Sequence, residues 1–210
     1  MSAGLAPIVM TTGWLIAAAV QPVTYSPMRE TISALAGHGG RDRWIVTGAL
    51  VVVGVAYIAN GFGLSALARP ARVGLVISGV AAIGIASCPE PVTGTTGQHL
   101  ACVSVGAASI AIWPLLTVQR SPACALTSAS CAVPVGVVFL VMLGWLVVQA
   151  HSGGTMLGLV ERLDSSLQMM WPFAVAVGLR QSSVWRAWVE ASESNGFAIA
   201  QPVPTRDRNS

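Results

Sequence analysis

Six continuous apolar stretches, residues 5–21, 44–67, 73–88, 99–118, 132–150 and 163–179, occupy most of this chain, and before the C-terminal segment nearly every ionisable side chain falls between them. A helix that crosses the hydrocarbon core of a bilayer needs about 20 apolar residues, with a range of roughly 17 to 25. Each stretch meets or nearly meets that length, the third being the shortest, so this sequence expects lipid rather than water around it. The runs are continuous instead of alternating at period two, which describes helices and not the strands of a membrane barrel. The expected fold class is all-α: a polytopic transmembrane bundle of six helices with a short amphipathic helix on its outer face.

Composition agrees. Charged residues are 9% of the chain and hydrophobic residues 54%, against about 25% charge in a soluble domain, too little to cover a water-exposed surface. The 22 glycines and 12 prolines suit helices that approach closely in lipid, where neighbouring groups satisfy freed backbone bonds. All eleven basic residues are arginine, which reads as coding bias rather than chemistry. A dispersed net charge of +3 does not suggest nucleic acid as a partner. No Lys or Arg precedes the first apolar run, so despite the small residues Ala17, Ala18 and Ala19 it reads as a retained helix and not a cleaved signal, which needs a positive n-region. Residues 1–180 form the transmembrane domain. Residues 181–210 comprise an interfacial segment, with Trp185 and Trp188 at headgroup level, and a disordered tail from about Asn195.

Orientation follows from the arginines. Arg69, Arg72, Arg120, Arg180, Arg186, Arg206 and Arg208 fall on one side of the alternating loops, and Arg29, Arg41, Arg43 and Arg162 on the other. The positive-inside rule then places both termini in the cytoplasm of a cell whose plasma membrane the chain crosses. Segments 23–43, 89–98 and 151–162 emerge outside and carry or adjoin His38, His99 and His151, with Glu30, Asp42, Glu90, Glu161 and Asp164 there or one turn inside. Ionisable groups so near hydrocarbon usually face the bundle interior or a wet cavity. A shared polar vestibule is one reading; longer loops merely collecting polar residues is the other.

Within the first outer segment, Ser26 can cap a helix begun by Pro27 and ended by Gly37 in a left-handed turn. Met28, Ile32 and Leu35 would share its apolar face. Arg29 and Ser33, one turn apart, could hold an anionic oxygen between them, or Arg29 could pin the segment by an ion pair. Glu161 and Arg162 are adjacent and so point about 100° apart on a helix; each needs a partner on another element or in water. Trp113-Pro114 and Trp171-Pro172 are expected to kink their spans.

Cys88 and Cys102 fall at the outer ends of spans three and four, Cys124 and Cys131 on the inner side. A Cys88–Cys102 disulfide is the one pairing suited to an oxidising exterior; four buried free thiols are the alternative. No Walker loop, dinucleotide fingerprint, zinc-protease motif or serine-hydrolase elbow is present. Nothing implies a cofactor. His38, His99 and His151 with Glu90 or Asp164 have ligand chemistry suited to zinc, but their spacing does not predict a metal site.

The segment Tyr25 to Gly40 with Arg43, the stretch CPEPVTGTTGQH ending in His99, and the Gly158-Leu159-x-Glu161-Arg162 run before a Trp-containing last span resemble the bacterial and archaeal membrane family known as domain of unknown function 998. The resemblance covers roughly residues 5 to 180 and carries over Ser26, Arg29, Ser33, His99 and Arg162 as family-like positions; Glu90 stands where the family often has Asp. It implies a six-helix integral membrane protein and supplies no reaction. The leading expectation is a binding or accessory protein that holds a membrane lipid headgroup or other amphiphile. Its candidate ligand-binding residues are Arg29, Ser33, His99, Glu161 and Arg162. The competing classes are a membrane enzyme acting on a lipid-linked substrate, with His99 as acid or base beside Glu30, Glu90 or Asp164, and a structural subunit with a protein partner in the membrane. Oligomeric state is not read from the sequence.

Overall fold

The computed structural model describes residues 4–194, apart from the side chains of 184–186 and 188–194. All regular structure among these residues is helical. In chain order it comprises α1 (Leu5–Ala19), α2 (Ile32–Ala36), α3 (Trp44–Gly63), α4 (Arg69–Ser87), α5 (Gly97–Leu116), a single 3-10 turn (Ala125–Thr127), α6 (Ala129–Ser152) and α7 (Leu157–Ser194). The six long helices coincide with the six expected spans and α2 lies in the 23–43 segment. The chain is an all-α, multi-pass membrane bundle. Helices α3, α4, α5 and α6 are each long and apolar enough to cross a membrane. The last, α7, is long but carries Glu161, Arg162, Asp164 and Gln168 in its first turns.

Several boundaries move for identifiable reasons. The shortest long helix is α1, not the third span: its 15 residues cover about 22 Å at 1.5 Å per residue. It stops before Gln21, whose side-chain amide donates to the Ala17 carbonyl and pairs with both backbone groups of Arg41, at 2.8, 2.9 and 3.0 Å. Helix α4 begins at Arg69, ahead of its apolar run, because Pro70 takes a first-turn position, where a missing N–H costs nothing. Helix α7 runs past residue 180 without a break; the expected disordered tail from Asn195 lies outside the described residues.

The packing of α3 on α4 is the most extensive in the bundle, and its basis is the absence of side chains. A Cβ on Gly79 would stand 2.5 Å from the Gly54 carbonyl oxygen, and one on Gly54 would stand 2.7 Å from that of Gly79. The two backbones therefore touch, as small residues permit in lipid, where no hydrophobic force draws helices together. Polar groups add to the next interface. Ser109 of α5 donates to the Gly74 carbonyl of α4 at 2.9 Å, and the indole of Trp113 donates to that of Ala71 at 2.8 Å.

The loop segments at one end of the bundle meet. The His38 N–H donates to the Glu90 carbonyl at 2.8 Å, and the Leu159 N–H donates to that of Met28 at 3.1 Å. Gly37 follows α2 with φ −74°, extended rather than left-handed. Here a glycine serves close approach, since a Cβ would stand 3.1 Å from the Glu90 carbonyl oxygen.

Candidate functional site

Helix α2 starts at Ile32 rather than Pro27, and the reason lies on α7. Ser26 closes a turn by accepting from the N–H groups of Arg29 and Glu30 at 3.0 and 2.8 Å. For the helix to continue, the carbonyls of Pro27 and Met28 would have to accept from residues 31 and 32. They accept instead from the Arg162 guanidinium, at 2.8 Å, and from Leu159 N–H, while Ile32 N–H donates to the Glu161 carboxylate at 2.5 Å. Thr31 then becomes the N-cap, its hydroxyl accepting from Ala34 N–H at 2.9 Å. Ile32 and Leu35 are buried, and Met28, expected on the same face, is exposed.

This is a reciprocal clamp. The first turn of α7 has unpaired N–H groups and a partial positive charge, and a carbonyl of the 26–30 turn faces it. The first turn of α2 has the same need, and Glu161 meets it. Arg162 donates through Nη1 to the carbonyls of Pro27, Glu30 and Gly158, each at 2.8 Å, and through Nη2 to the Tyr25 hydroxyl. Its Cζ lies 5.4 Å from the Trp14 ring centroid, within cation–π range. Burial raises the Tyr25 hydroxyl above its usual pKa, an effect the neighbouring guanidinium opposes. Gly158 lets the segment settle against α7, since a Cβ there would stand 2.2 Å from the Glu30 carbonyl oxygen.

Beneath α2 lies a cavity of about 150 Å³, lined by every helix of the bundle. Its walls are largely apolar, with Leu50, Val53, Val103, Ile110 and Met169 among them, and its polar groups are Ser33, Glu161, Asp164, Ser165, Gln168, Tyr57 and Ser78. Asp164 is buried and accepts from the Gln168 amide at 2.7 Å. The Tyr57 hydroxyl is buried with no hydrogen-bond partner among the described residues. Comparable cavities lined only by hydrocarbon stay dry and hold a benzene-sized guest; this one adds buried acceptors on one side.

The residues singled out from sequence are thus divided. Ser33 and Glu161 line the cavity. Arg162 is buried in the clamp, and Arg29 is exposed and does not line the cavity. His99 is buried at the start of α5, where Thr96 caps the helix by accepting from its N–H at 3.2 Å. Its Nδ1 lies 2.7 Å from the Cys88 carbonyl, which can only accept, so Nδ1 carries a proton. Its Nε2 faces the Glu90 carboxyl at 3.5 Å, a contact that is favourable when one of the two groups is protonated. Burial pushes the Glu90 carboxyl above its ordinary value, and His99 opposes that rise. His38 and His151 are exposed. Among the described residues no three His, Cys, Asp or Glu side chains form a metal-holding group.

Cys88 and Cys102 are free thiols, as are Cys124 and Cys131. Cys102 packs instead against the notch at Gly84, one turn before Cys88, where a Cβ would stand 2.7 Å from its sulfur. Sequence reasoning passed over Tyr57 and Gln168. The signals were a tyrosine amid an apolar span and a Gln four residues after Asp164, the spacing that brings side chains together on one helix face.

A family model described as Protein of unknown function (DUF998) matches residues 4–178, which take in the cavity and the clamp. No curated protein and no solved structure matches the chain.

Proposed function

We propose that this chain, which belongs to the DUF998 family of proteins of unknown function, is a membrane binding protein that holds the polar end of an amphiphile in the cavity under α2. The observation that carries this reading is the cavity itself: apolar walls from several helices with a polar side of Ser33, Glu161, Asp164, Ser165 and Gln168, of which Asp164 and Gln168 are buried. Pockets that combine apolar walls with a few placed polar groups are the usual form of small-molecule sites. Arg162 contributes by holding α2 over the cavity and not by attracting an anion, because its Nη donors are engaged by three carbonyls and a phenol. In the orientation favoured by the arginine distribution, the α2 end faces the exterior of the plasma membrane.

The enzyme reading has less support. His99 and Glu90 are 3.5 Å apart, longer than the reach expected of an acid–base pair, and neither lines the cavity.

The test is native mass spectrometry of the full chain extracted into lipid nanodiscs, beside Ala107→Phe, which fills the cavity from α5. The wild type should retain a bound amphiphile that Ala107→Phe, still folded, lacks. The same amphiphile on both proteins, or none on either, overturns the proposal.

A further inference from the structure

The chemistry of the cavity lining says more about its guest, and this inference rests on the amphiphile-binding reading above. We infer that the cavity selects an amphiphile whose polar end is a primary ammonium attached to a short apolar chain. The charge-bearing side chains that line the space are both carboxylic acids, Glu161 and Asp164. The nearest guanidinium, that of Arg162, faces away into the 25–30 turn.

A second and independent feature points to an occupant. Tyr57, 4% exposed, lines the cavity from α3 and its hydroxyl has no hydrogen-bond partner among the described residues. A buried hydroxyl without a partner is destabilising, and a guest that bonds to it removes that cost. An ammonium has three donors and no acceptor. The lining offers it matching acceptors in the Asp164 carboxylate, the Tyr57 oxygen and the hydroxyls of Ser33 and Ser165.

Competing polar ends fit less well. A carboxylate or phosphate guest would bring a negative charge that no cation of the lining offsets, beside two acidic side chains, in a medium that screens poorly. A quaternary ammonium has no N–H to donate and is recognised by cages of aromatic rings; Tyr57 is the one aromatic side chain in this lining. An alcohol supplies a single donor. The volume of about 150 Å³ admits roughly a benzene-sized group, so a six-carbon amine is a suitable probe.

The experiment is a thermal-shift titration of the full chain in nanodiscs of phosphatidylcholine and phosphatidylglycerol, which contain no primary amine. The probes are hexylamine, 1-hexanol, hexanoate and hexyltrimethylammonium at pH 7. Hexylamine, protonated there as lysine is, should raise the melting temperature at concentrations at least 10-fold lower than any of the others. Asp164→Asn should abolish that preference for the amine, and Tyr57→Phe should weaken it several-fold. If 1-hexanol or hexanoate binds as tightly as hexylamine, the ammonium assignment is overturned while the amphiphile reading stands. Failure of all four to bind overturns the amphiphile reading with it. The comparison among probes uses the wild type alone, so it decides the matter even where a variant fails to fold. Repeating the titration with phosphatidylethanolamine separates two sources of the same chemistry: competition with hexylamine identifies a lipid headgroup, and no competition a free amine, either result supporting the class.

Discussion

Replacing Arg162 by methionine keeps an unbranched, though shorter, side chain and removes every donor that Arg162 brings to the clamp. Three of its bonds cross to the 25–30 segment, at Pro27, Glu30 and Tyr25. The carbonyls of Pro27 and Glu30 belong to exposed residues and regain water when the segment lifts, so each bond is taken at the net value of about 1 kcal/mol rather than its larger gross value. The sum, about 3 kcal/mol, lowers the free energy of local opening, and since every 1.4 kcal/mol is a factor of ten the open population rises roughly 100-fold. Amide hydrogen exchange reads that population. In Arg162→Met, peptides covering residues 26–37 should lose about two orders of magnitude of protection while peptides from α3 and α4 keep theirs. Glu161→Gln keeps an oxygen that can accept from Ile32 N–H and should lose less. Unchanged protection at 26–37, or an equal loss in α3 and α4, would refute the view that Arg162 holds α2 in place.

Three further outcomes are expected. Gly79→Leu should destabilise the purified protein by about 3 kcal/mol, the upper end for overpacking, because its Cβ meets the Gly54 backbone; Gly48→Ala, with nothing within 4 Å, should be neutral or slightly stabilising, and equal melting temperatures for the two would contradict the packing described. The folded state holds the Glu90 carboxyl above its ordinary 4.5, so it binds the proton more tightly than the unfolded chain, and the associated stability is present in acid and lost as pH rises through the raised value. Glu90→Gln should therefore flatten the fall of melting temperature with rising pH above about 4.5, and parallel pH profiles would count against it. Denatured without reductant, the protein should bind four maleimides, one for each free thiol; two would indicate a disulfide.

The helices were legible because hydrocarbon imposes one requirement on every residue of a span, and local composition records it. The lid was not, because its start is decided by α7: Glu161 takes the N–H of Ile32 from 129 positions away, and no property of Ser26 or Pro27 encodes that. Glu161 and Arg162 were recognised as needing partners, and both find them on the same segment. What could not be read was that most of the partners are backbone groups, which every residue has. Arg29 looked equivalent to Arg162 as a cation near the membrane surface, yet only Arg162 is buried, a difference set by tertiary packing. Asp164 was legible as an acid beside a span. Its place next to Gln168 and across the cavity from apolar walls depends on how α7 rotates against α3 and α5.

The bundle and its cavity place the segments around His38, Thr95 and Gly153 on one face of the membrane. Single cysteines at these positions, in a background with Cys88, Cys102, Cys124 and Cys131 replaced by serine, can be labelled in intact cells with a membrane-impermeant maleimide. All three should react from the same compartment; reaction of any one from the opposite side would contradict the bundle and the cavity together.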